Sequence, residues 1–223
     1  MTQVPFYFDF ISPYSWLALT QAPDMSSRLG IRWVLRPVVY AKLLEAHNLL
    51  GPGEVPAKRQ AMFADIVRCA RLLGQPFSGP PAHPFRSLES LRVTCLVRRE
   101  EGALDLCLAL ANAAWAEGRD LTDMAVLTEV VAAQGLPADG LEDRIREPDL
   151  KADLRALTQG ALAEGVFGVP TFIHDGELFW GHDRLRHLEA RITGELPAAR
   201  EQVEELLKRP RGTDRPSLPA VRK

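Results

Sequence analysis

The stretch Val4–Trp16, VPFYFDFISPYSW, contains the first strand–helix junction of the chain. Its first part, Val4–Ile11, is short and rich in aromatic residues, which predicts a buried β-strand. From Ser15 onward the apolar residues recur at helical spacing until Gly30, a residue type that commonly ends helices. A second strand is predicted at Ile31–Val39. The chain therefore opens as β-α-β, which implies parallel strands joined by a right-handed crossover.

Helical patterns replace strand patterns over residues 40–160. Clusters of glycine and proline, as in NLLGPGEVP and QPFSGPPAHPF, separate the helical segments. Strand patterns return in GVPTFIHDGELFWG, where Asp175-Gly176 is a strong hairpin signal. An amphipathic helical pattern, HDRLRHLEARI, follows.

The order β-α-β, helical block, β-β-α predicts an α/β protein with a thioredoxin-like fold that is interrupted by a large all-helical insertion. Residues 1–39 and 161–194 form the discontinuous thioredoxin-like domain in this prediction, and residues 40–160 form the insertion. The Pro- and Arg-rich end, residues 209–223, is predicted to be a loose tail.

Composition narrows the class of protein. The chain has 223 residues, of which 46% are hydrophobic and 25% charged, as is usual for a globular protein with a sizeable core. A formal charge of -2 gives no electrostatic argument for nucleic acid or an anionic membrane as partner. The N-terminus lacks the pattern of a signal peptide, and no apolar run has the length of a membrane span, so a cytoplasmic protein is expected.

Cysteine and histidine spacing gives no sign of a metal site or a disulfide framework. The three cysteines, Cys69, Cys95 and Cys107, include no Cys-x-x-Cys pair and are interpreted as small buried hydrophobic residues. Four histidines without metal-ligand spacing are interpreted as surface or structural residues: His47, His83, His174 and His187.

Ser12 begins a Ser-Pro-Tyr-Ser motif at the position where many redox proteins carry Cys-x-x-Cys. Free N–H groups and the helix dipole at a helix N-terminus favour an anion, and a serine hydroxyl can donate a hydrogen bond to it. The alternative is that Ser12 or Ser15 only caps the helix, and Ser15 fits the cap position better. With no cysteine in the motif, any thiolate must come from outside the chain, and glutathione is the expected donor.

Val169-Pro170 opens the first C-terminal strand, where a thioredoxin-like order places a cis-proline. A cis bond there would free the Val169 backbone to pair with an extended peptide ligand. The alternative is an ordinary trans proline at the start of a strand. The element order favours the cis form.

Several motifs together resemble the 2-hydroxychromene-2-carboxylate isomerases, which group with the kappa-class glutathione transferases and share the DsbA-like thioredoxin fold. The matching stretches lie between residue 6 and about residue 188: FYFDFISPYSWLA, PAKRQAMFADIVRCARLLGQPF, HPFRSLESLR and GVFGVPTFIHDGELFWGHDRL. The resemblance implies a DsbA/kappa-type fold, glutathione as cofactor and a homodimer.

The resemblance also implies roles for individual residues. Ser12 matches the serine that contacts the glutathione sulfur and is the expected catalytic residue. Val169 and Pro170 match the residues that pair with the cysteinyl backbone of glutathione. His182 and Asp183 match the pair near its γ-glutamyl end. Lys58 and Asn48 match the residues near its glycyl carboxylate. Asp183 has an alternative role as the cap of the last helix.

The acceptor pocket is less well defined by the sequence. Position in the motifs suggests that Phe85, Arg86 and Trp180 border it, whereas the other tryptophans are interpreted as core residues. A short acidic substrate would call for a positive group there, such as Arg86.

The function implied is glutathione-dependent cis–trans isomerisation of 2-hydroxychromene-2-carboxylate to trans-o-hydroxybenzylidenepyruvate, a step of aromatic-compound degradation. A kappa-type glutathione transferase acting on another electrophile uses the same thiolate site and is the first alternative. A non-catalytic thioredoxin-like binding protein is the second, and it predicts no binding of glutathione.

Overall fold

The computed structural model describes residues 1–210 and 212 of the protein. Four strands form one sheet: β1 Thr2–Phe8, β2 Ile31–Pro37, β3 Thr171–His174 and β4 Glu177–Trp180. The strand order is β2-β1-β3-β4, with β1 parallel to β2 and antiparallel to β3. The β-α-β opening and the C-terminal hairpin predicted from the sequence are confirmed, and so is the thioredoxin-like α/β fold.

Helix α1, Pro13–Leu29, starts two residues earlier than the pattern predicted, and β1 stops at Phe8 instead of Ile11. The chain leaves the sheet at Asp9, whose carboxylate accepts a hydrogen bond from the Ile11 amide. Pro13 then occupies the first helical turn, where its missing N–H and fixed φ are no disadvantage. Gly30 ends the helix as predicted.

The hairpin turn between β3 and β4 has positive φ at both central residues, 49° at Asp175 and 76° at Gly176. Positive φ at both positions is the requirement of a type I′ turn, which Asp-Gly satisfies with little steric cost. Ile173 pairs with Leu178 and Phe172 with Phe179 across this hairpin. The register brings Trp180, at the end of β4, opposite Thr171, directly after Pro170.

The segment between the two halves of the sheet is helical, as predicted. Its helices are α2 Tyr40–Ala46, α3 Pro56–Leu72, α4 Leu88–Val97, α5 Ala103–Trp115, α6 Met124–Ala133, α7 Leu141–Arg144 and α8 Pro148–Ala163. After the sheet come α9 Leu185–Ile192 and α10 Arg200–Leu207. The sequence did not predict α7 or α10, and α4 ends at Val97, well before the predicted end at Gly102. The predicted domain boundary between residues 160 and 161 falls inside α8.

Helices of the insertion share one hydrophobic core with the sheet and α1. The Trp115 indole on α5 donates to the Phe10 carbonyl at 2.9 Å, and the Trp16 indole on α1 donates to the Asn112 side chain at 2.8 Å. Both tryptophans are buried, as predicted. These bonds fix α5 against the start of α1, so the insertion also helps to position the strand–helix junction.

The predicted loose tail, residues 209–223, lies outside the described residues except for 209, 210 and 212. Within residues 1–210 and 212, every helix is too short or too polar to span a bilayer. The same residues bring together no group of three histidine, cysteine or carboxylate side chains able to hold a metal ion.

Candidate active site

A cavity of about 750 Å³ lies between the N-terminus of α1 and the loop that precedes β3. Ser12 and Val169 both line it. Its volume is in the range of pockets that hold a small organic ligand.

Ser12 is the N-cap of α1: its hydroxyl oxygen accepts a hydrogen bond from the Ser15 amide at 3.2 Å. The same hydroxyl donates to the Val169 carbonyl at 3.4 Å. The interpretation of Ser15 as the cap is therefore wrong, because Pro13 can occupy the first helical position and moves the cap back to Ser12. Ser15 is buried, and its hydroxyl has no partner among the described residues. Ser12 therefore both caps α1 and lines the cavity, so the two positions do not exclude each other.

The Val169-Pro170 peptide bond is cis, as predicted. Val169 is buried and lines the cavity, and the Pro170 carbonyl accepts a hydrogen bond from the Gly181 amide at 2.9 Å. Within the described part of the chain, the Val169 amide donates to no backbone carbonyl. The cis bond thus presents an unpaired backbone donor beside Ser12. A second cis bond, His83-Pro84, was not predicted and also lies in the cavity wall.

We call one wall the α9 side and define it by Tyr14, Asp65, Cys69, His182 and Asp183. The Tyr14 hydroxyl donates to the Asp65 carboxylate at 2.9 Å, and the Tyr14 and His182 rings stack 5.4 Å apart with 6° between their planes. Burial lowers the pKa of His182, although the nearby carboxylates of Asp183 and Asp65 oppose this. The imidazole is therefore neutral at pH 7, and the two carboxylates supply the negative charge of this side.

Asp183 lies in a short 3-10 turn, His182–Arg184, just before α9. Its carboxylate pairs with the Arg184 guanidinium at 2.8 Å, and its side chain is 57% exposed. The alternative in which Asp183 caps the last helix is wrong, since Arg184 is the N-cap residue of α9 and that helix has no side-chain cap bond. The Asp183 carboxylate remains available to a ligand in the cavity.

We call the opposite wall the α2 side and define it by Tyr40, Leu44, Gly51, Glu54 and His83. The Glu54 carboxylate accepts from the Gly51 amide at 2.6 Å and so closes a 3-10 turn. A methyl group on Gly51 would lie 3.3 Å from Leu44 and 3.8 Å from Tyr40, which shows how closely the turn packs on α2. Burial, with the charges of Glu54 and Asp9, raises the pKa of Tyr40 to about 12. The phenol therefore stays protonated and can donate.

His83 was interpreted from the sequence as surface or structural, yet it lines the cavity. Its Nε2 lies 3.1 Å from the Ile11 carbonyl, which only accepts, so Nε2 carries the proton. Nδ1 is then an acceptor, and it is buried without a partner in the described structure. Burial lowers the pKa of His83, so the ring is neutral at pH 7.

Asp9 is a buried carboxylate beneath the site that the sequence analysis did not single out. It accepts from the Ser87 hydroxyl at 2.5 Å, the Tyr40 amide at 2.9 Å and the Ile11 amide at 3.1 Å. These donors belong to three separate segments, and two of the donors, Ile11 and Tyr40, themselves line the cavity. A charged residue within an aromatic strand was the signal available in the sequence, because such a group is buried only when hydrogen-bonded.

Trp180 lines the cavity as predicted and packs against Phe167 with ring centres 4.8 Å apart. Phe85 and Arg86, which were also predicted to border the pocket, lie outside its lining. Phe85 packs toward Trp115, and Arg86 pairs with Glu89 at 2.7 Å, so their side chains are engaged elsewhere.

Lys58 and Asn48, the predicted contacts of the glycyl carboxylate, are both exposed and lie outside the cavity lining. Lys58 stands in the first turn of α3, and Asn48 follows α2 with a positive φ of 51°. Their part in ligand binding stays a prediction.

The cysteines have no features of activated thiols. Cys95 and Cys107 are buried as predicted, and burial is the main reason that their pKa values rise to about 12. Cys69 is only partly buried and lines the α9 side, contrary to the prediction. Burial and the Asp65 and Asp183 carboxylates raise its pKa, so it is a neutral thiol. A thiolate in this cavity would have to belong to a ligand.

The chain is similar to known proteins over most of its length. The DSBA-like thioredoxin domain family matches residues 3–193. A 2-hydroxychromene-2-carboxylate isomerase of Sphingobium xenophagum is 33% identical over 84% of this chain and 96% of its own length, and human glutathione S-transferase kappa 1 is 27% identical over 86% and 91%. A solved 2-hydroxychromene-2-carboxylate isomerase structure superposes with a TM-score of 0.81 at 25% identity, covering 92% of this chain and 99% of that one. The chain therefore belongs to the DSBA-like thioredoxin family and, within it, to the enzymes related to 2-hydroxychromene-2-carboxylate isomerase.

Proposed function

We propose that the protein is a glutathione-dependent cis–trans isomerase that acts on 2-hydroxychromene-2-carboxylate or a related chromene. One observation carries the proposal: the Ser12 hydroxyl and the N-terminus of α1 face a cis-proline loop in a cavity that holds no activated cysteine. The site is built to bind a thiolate that the protein does not supply. Relatives named as isomerases and as a kappa-class transferase support glutathione as the source.

The residues present fit glutathione. The unpaired Val169 amide suits the backbone of a bound peptide. The carboxylates of Asp65 and Asp183 suit an α-ammonium group. Ser12 and the Tyr14 amide, which donates to no backbone carbonyl among the described residues, suit a thiolate at the N-terminus of α1. The peptide backbone, the α-ammonium group and the thiolate of glutathione therefore each have a partner in the cavity.

When bound, glutathione supplies the thiolate whose reversible addition to the conjugated carbon turns the double bond into a rotatable single bond, with no net change in atoms or electrons. Ser12 stabilises negative charge at the sulfur position by turning its single hydroxyl proton from the Val169 carbonyl to the sulfur. Val169 orients the peptide backbone, and Tyr40 can donate to a carbonyl oxygen on the opposite wall. The protein thus contributes a lowered thiol pKa and a fixed orientation.

The test is the ultraviolet spectrum of 2-hydroxychromene-2-carboxylate mixed with the purified protein, with and without glutathione. We expect the trans-o-hydroxybenzylidenepyruvate band to grow faster than in the protein-free mixture only when glutathione is present. A stable glutathione adduct in place of the trans product would favour the kappa-type transferase. Absence of any protein effect with this compound and with uncharged chromenes would contradict the isomerase.

Replacing Asp183 with alanine should weaken glutathione binding by about tenfold to a hundredfold, because a charge-assisted hydrogen bond to the ammonium is lost. Isothermal titration calorimetry measures the effect. Asp105→Ala, an exposed carboxylate on α5, is the matched control and should bind as the unmodified protein does. Equal affinity in all three proteins would remove Asp183 from the binding site.

The pathway, the homodimer and the cytoplasmic location belong to the same proposal. We propose a role in aromatic-compound degradation, with a small aromatic molecule as the partner. The family resemblance supports the dimer.

A further inference from the structure

The peptide unit that joins Ile11 to Ser12 is hydrogen-bonded at both of its polar atoms. The Ser12 amide donates to the Asp9 carbonyl at 3.0 Å. The Ile11 carbonyl accepts from the His83 imidazole, whose Nε2 lies 3.1 Å away. Because a peptide unit is planar and rigid, two fixed atoms determine the position and tilt of the whole unit. The Cα atom of Ser12 belongs to this unit, so the two bonds help to determine where the Ser12 hydroxyl lies.

The two bonds come from different parts of the chain. The bond to Asp9 closes a turn within the loop between β1 and α1. The bond from His83 joins that loop to the segment between α3 and α4, 72 residues further along the chain. The position of Ser12 therefore depends on a side chain of a distant segment as well as on its own turn.

Neighbouring groups hold the His83 ring in one orientation. The ring contacts the rings of Phe63 and Trp115, each with ring centres 5.5 Å apart and the planes steeply inclined. Gly53 lies close to a third part of the ring, since a methyl group at Gly53 would be 2.9 Å from its Cε1 atom. These contacts keep Nε2 directed at the Ile11 carbonyl. They do not involve a hydrogen bond at Nδ1, which is buried without a partner in the described part of the chain.

The role proposed for Ser12 requires an accurately placed hydroxyl. A hydroxyl that stabilises a thiolate has to lie within hydrogen-bond distance of the sulfur, and a displacement of about 1 Å can cost about a hundredfold in rate. We propose that His83 is a positioning residue, whose hydrogen bond to the Ile11 carbonyl holds Ser12 where its hydroxyl reaches the glutathione sulfur. The inference rests on the proposed function, because it takes glutathione as the ligand at Ser12.

Two substitutions at His83 separate its hydrogen bond from the packing of its ring. The amide nitrogen of glutamine is as many bonds from Cα as Nε2 is, so it can donate to the Ile11 carbonyl. The side chain of asparagine is one bond shorter and reaches only the position of Nδ1. Both variants lose the aromatic ring, so the difference between His83→Gln and His83→Asn reports the bond to Ile11. Urea unfolding checks that both variants fold.

The main readout is the pKa of the bound glutathione thiol, obtained from thiolate absorbance. We expect His83→Asn to raise this pKa by about half a unit to one unit and to lower kcat about tenfold, with KM for glutathione changed less than about threefold. His83→Gln should keep kcat within about threefold of the unmodified protein, because the donor to Ile11 is retained. Loss of ring packing alone would lower stability equally in both variants and leave the thiol pKa unchanged.

Two results would overturn the inference. The first is an unchanged thiol pKa in His83→Asn, measured under conditions where Ser12→Ala raises it. The second is an equal loss of turnover in His83→Gln and His83→Asn with an unchanged thiol pKa, since the imidazole would then act on the substrate directly.

A measurement without glutathione separates this inference from the proposed function. In the free protein, we expect the Ser12 amide to exchange its hydrogen about tenfold faster in His83→Asn than in His83→Gln or the unmodified protein, as followed by NMR. Faster exchange in a protein that binds no glutathione would keep His83 as the residue that positions Ser12 and contradict the proposed function. Unchanged exchange together with normal glutathione binding would overturn the inference and leave the proposed function standing.

Discussion

Replacing Ser12 with alanine should lower glutathione-dependent turnover by about a hundredfold. The hydroxyl now lies between the Ser15 amide and the Val169 carbonyl, directly at the N-terminus of α1. Removing one preorganised donor from a site that stabilises an anion typically costs about 100-fold to 1,000-fold in rate. The Tyr14 amide and the dipole of α1 remain in the variant, so residual activity is expected.

The same substitution should raise the pKa of the bound glutathione thiol by about one to two units, as expected when a hydrogen bond to a charged group is lost. Thiolate absorbance near 240 nm, recorded against pH in the complex, measures this value. Ser12→Ala also removes a helix cap and should lower the free energy of unfolding by about 1 kcal/mol. The shift in thiol pKa distinguishes the site role from the capping role, which would leave it unchanged.

Ser15→Ala is the matched control for Ser12→Ala. Ser15 lies one turn into the same helix and is buried, but its hydroxyl has no partner within residues 1–210 and 212. We expect this variant to keep its turnover within about twofold and to lose no stability, because no hydrogen bond is broken. Equal losses of turnover in the two variants would indicate general damage to α1 and contradict the assignment of Ser12.

Replacing Asp9 with alanine should have the largest effect on stability, a loss of about 3–5 kcal/mol in the free energy of unfolding. Asp9 is 2% exposed, and its carboxylate accepts from the Ser87 hydroxyl and from the Tyr40 and Ile11 amides. Alanine would leave these donors unpaired beside a cavity. Urea unfolding measures the change, and Asp105→Ala, an exposed carboxylate in the first turn of α5, should lose less than about 1 kcal/mol.

Asp9 should also give the folding stability a recognisable pH dependence. Burial raises the pKa of this carboxyl above its ordinary value, although its hydrogen bonds act in the opposite direction. The folded state then holds its proton more tightly than the unfolded state. The contribution of Asp9 is therefore full below about pH 4 and falls as the pH rises toward the native pKa. Asp9→Asn, which cannot ionise, should lack this decline; an unchanged profile would show that Asp9 is not its source.

Local patterns carried the prediction of the fold. The aromatic run of β1 and the Asp175-Gly176 turn of the hairpin both depend on neighbours in the sequence, and the structure confirms both. The cis form of Val169-Pro170 followed from element order. The start of α1 was misplaced because Ser12 and Ser15 offer the same capping chemistry, and only the position of Pro13 in the helix distinguishes them.

The walls of the cavity were harder to predict because they depend on contacts between distant segments. The Tyr14 ring stacks on His182, which lies near the other end of the chain. His83 reaches the cavity through contacts with Ile11 and Trp115 that no local pattern encodes. Arg86 was assigned from its place in a motif, but its local ion pair with Glu89 holds it outside. The strand and turn elements, which depend on one segment, were predictable, whereas the cavity walls, which depend on the packing of distant segments, were predicted only in part.

The bonds between the insertion and the strand–helix junction limit how the protein can be reduced to a minimal scaffold. The Ser87 hydroxyl, in the segment before α4, donates a hydrogen bond to the Asp9 carboxylate. On α5, the Trp115 indole donates to the Phe10 carbonyl, and the Asn112 side chain accepts from the Trp16 indole. A shortened protein made from the sheet, α1 and α9 alone would leave Asp9, the Phe10 carbonyl and the Trp16 indole without these partners, next to the candidate site. An engineer who wants a smaller enzyme should therefore shorten the chain after α9 and keep α4 and α5 intact.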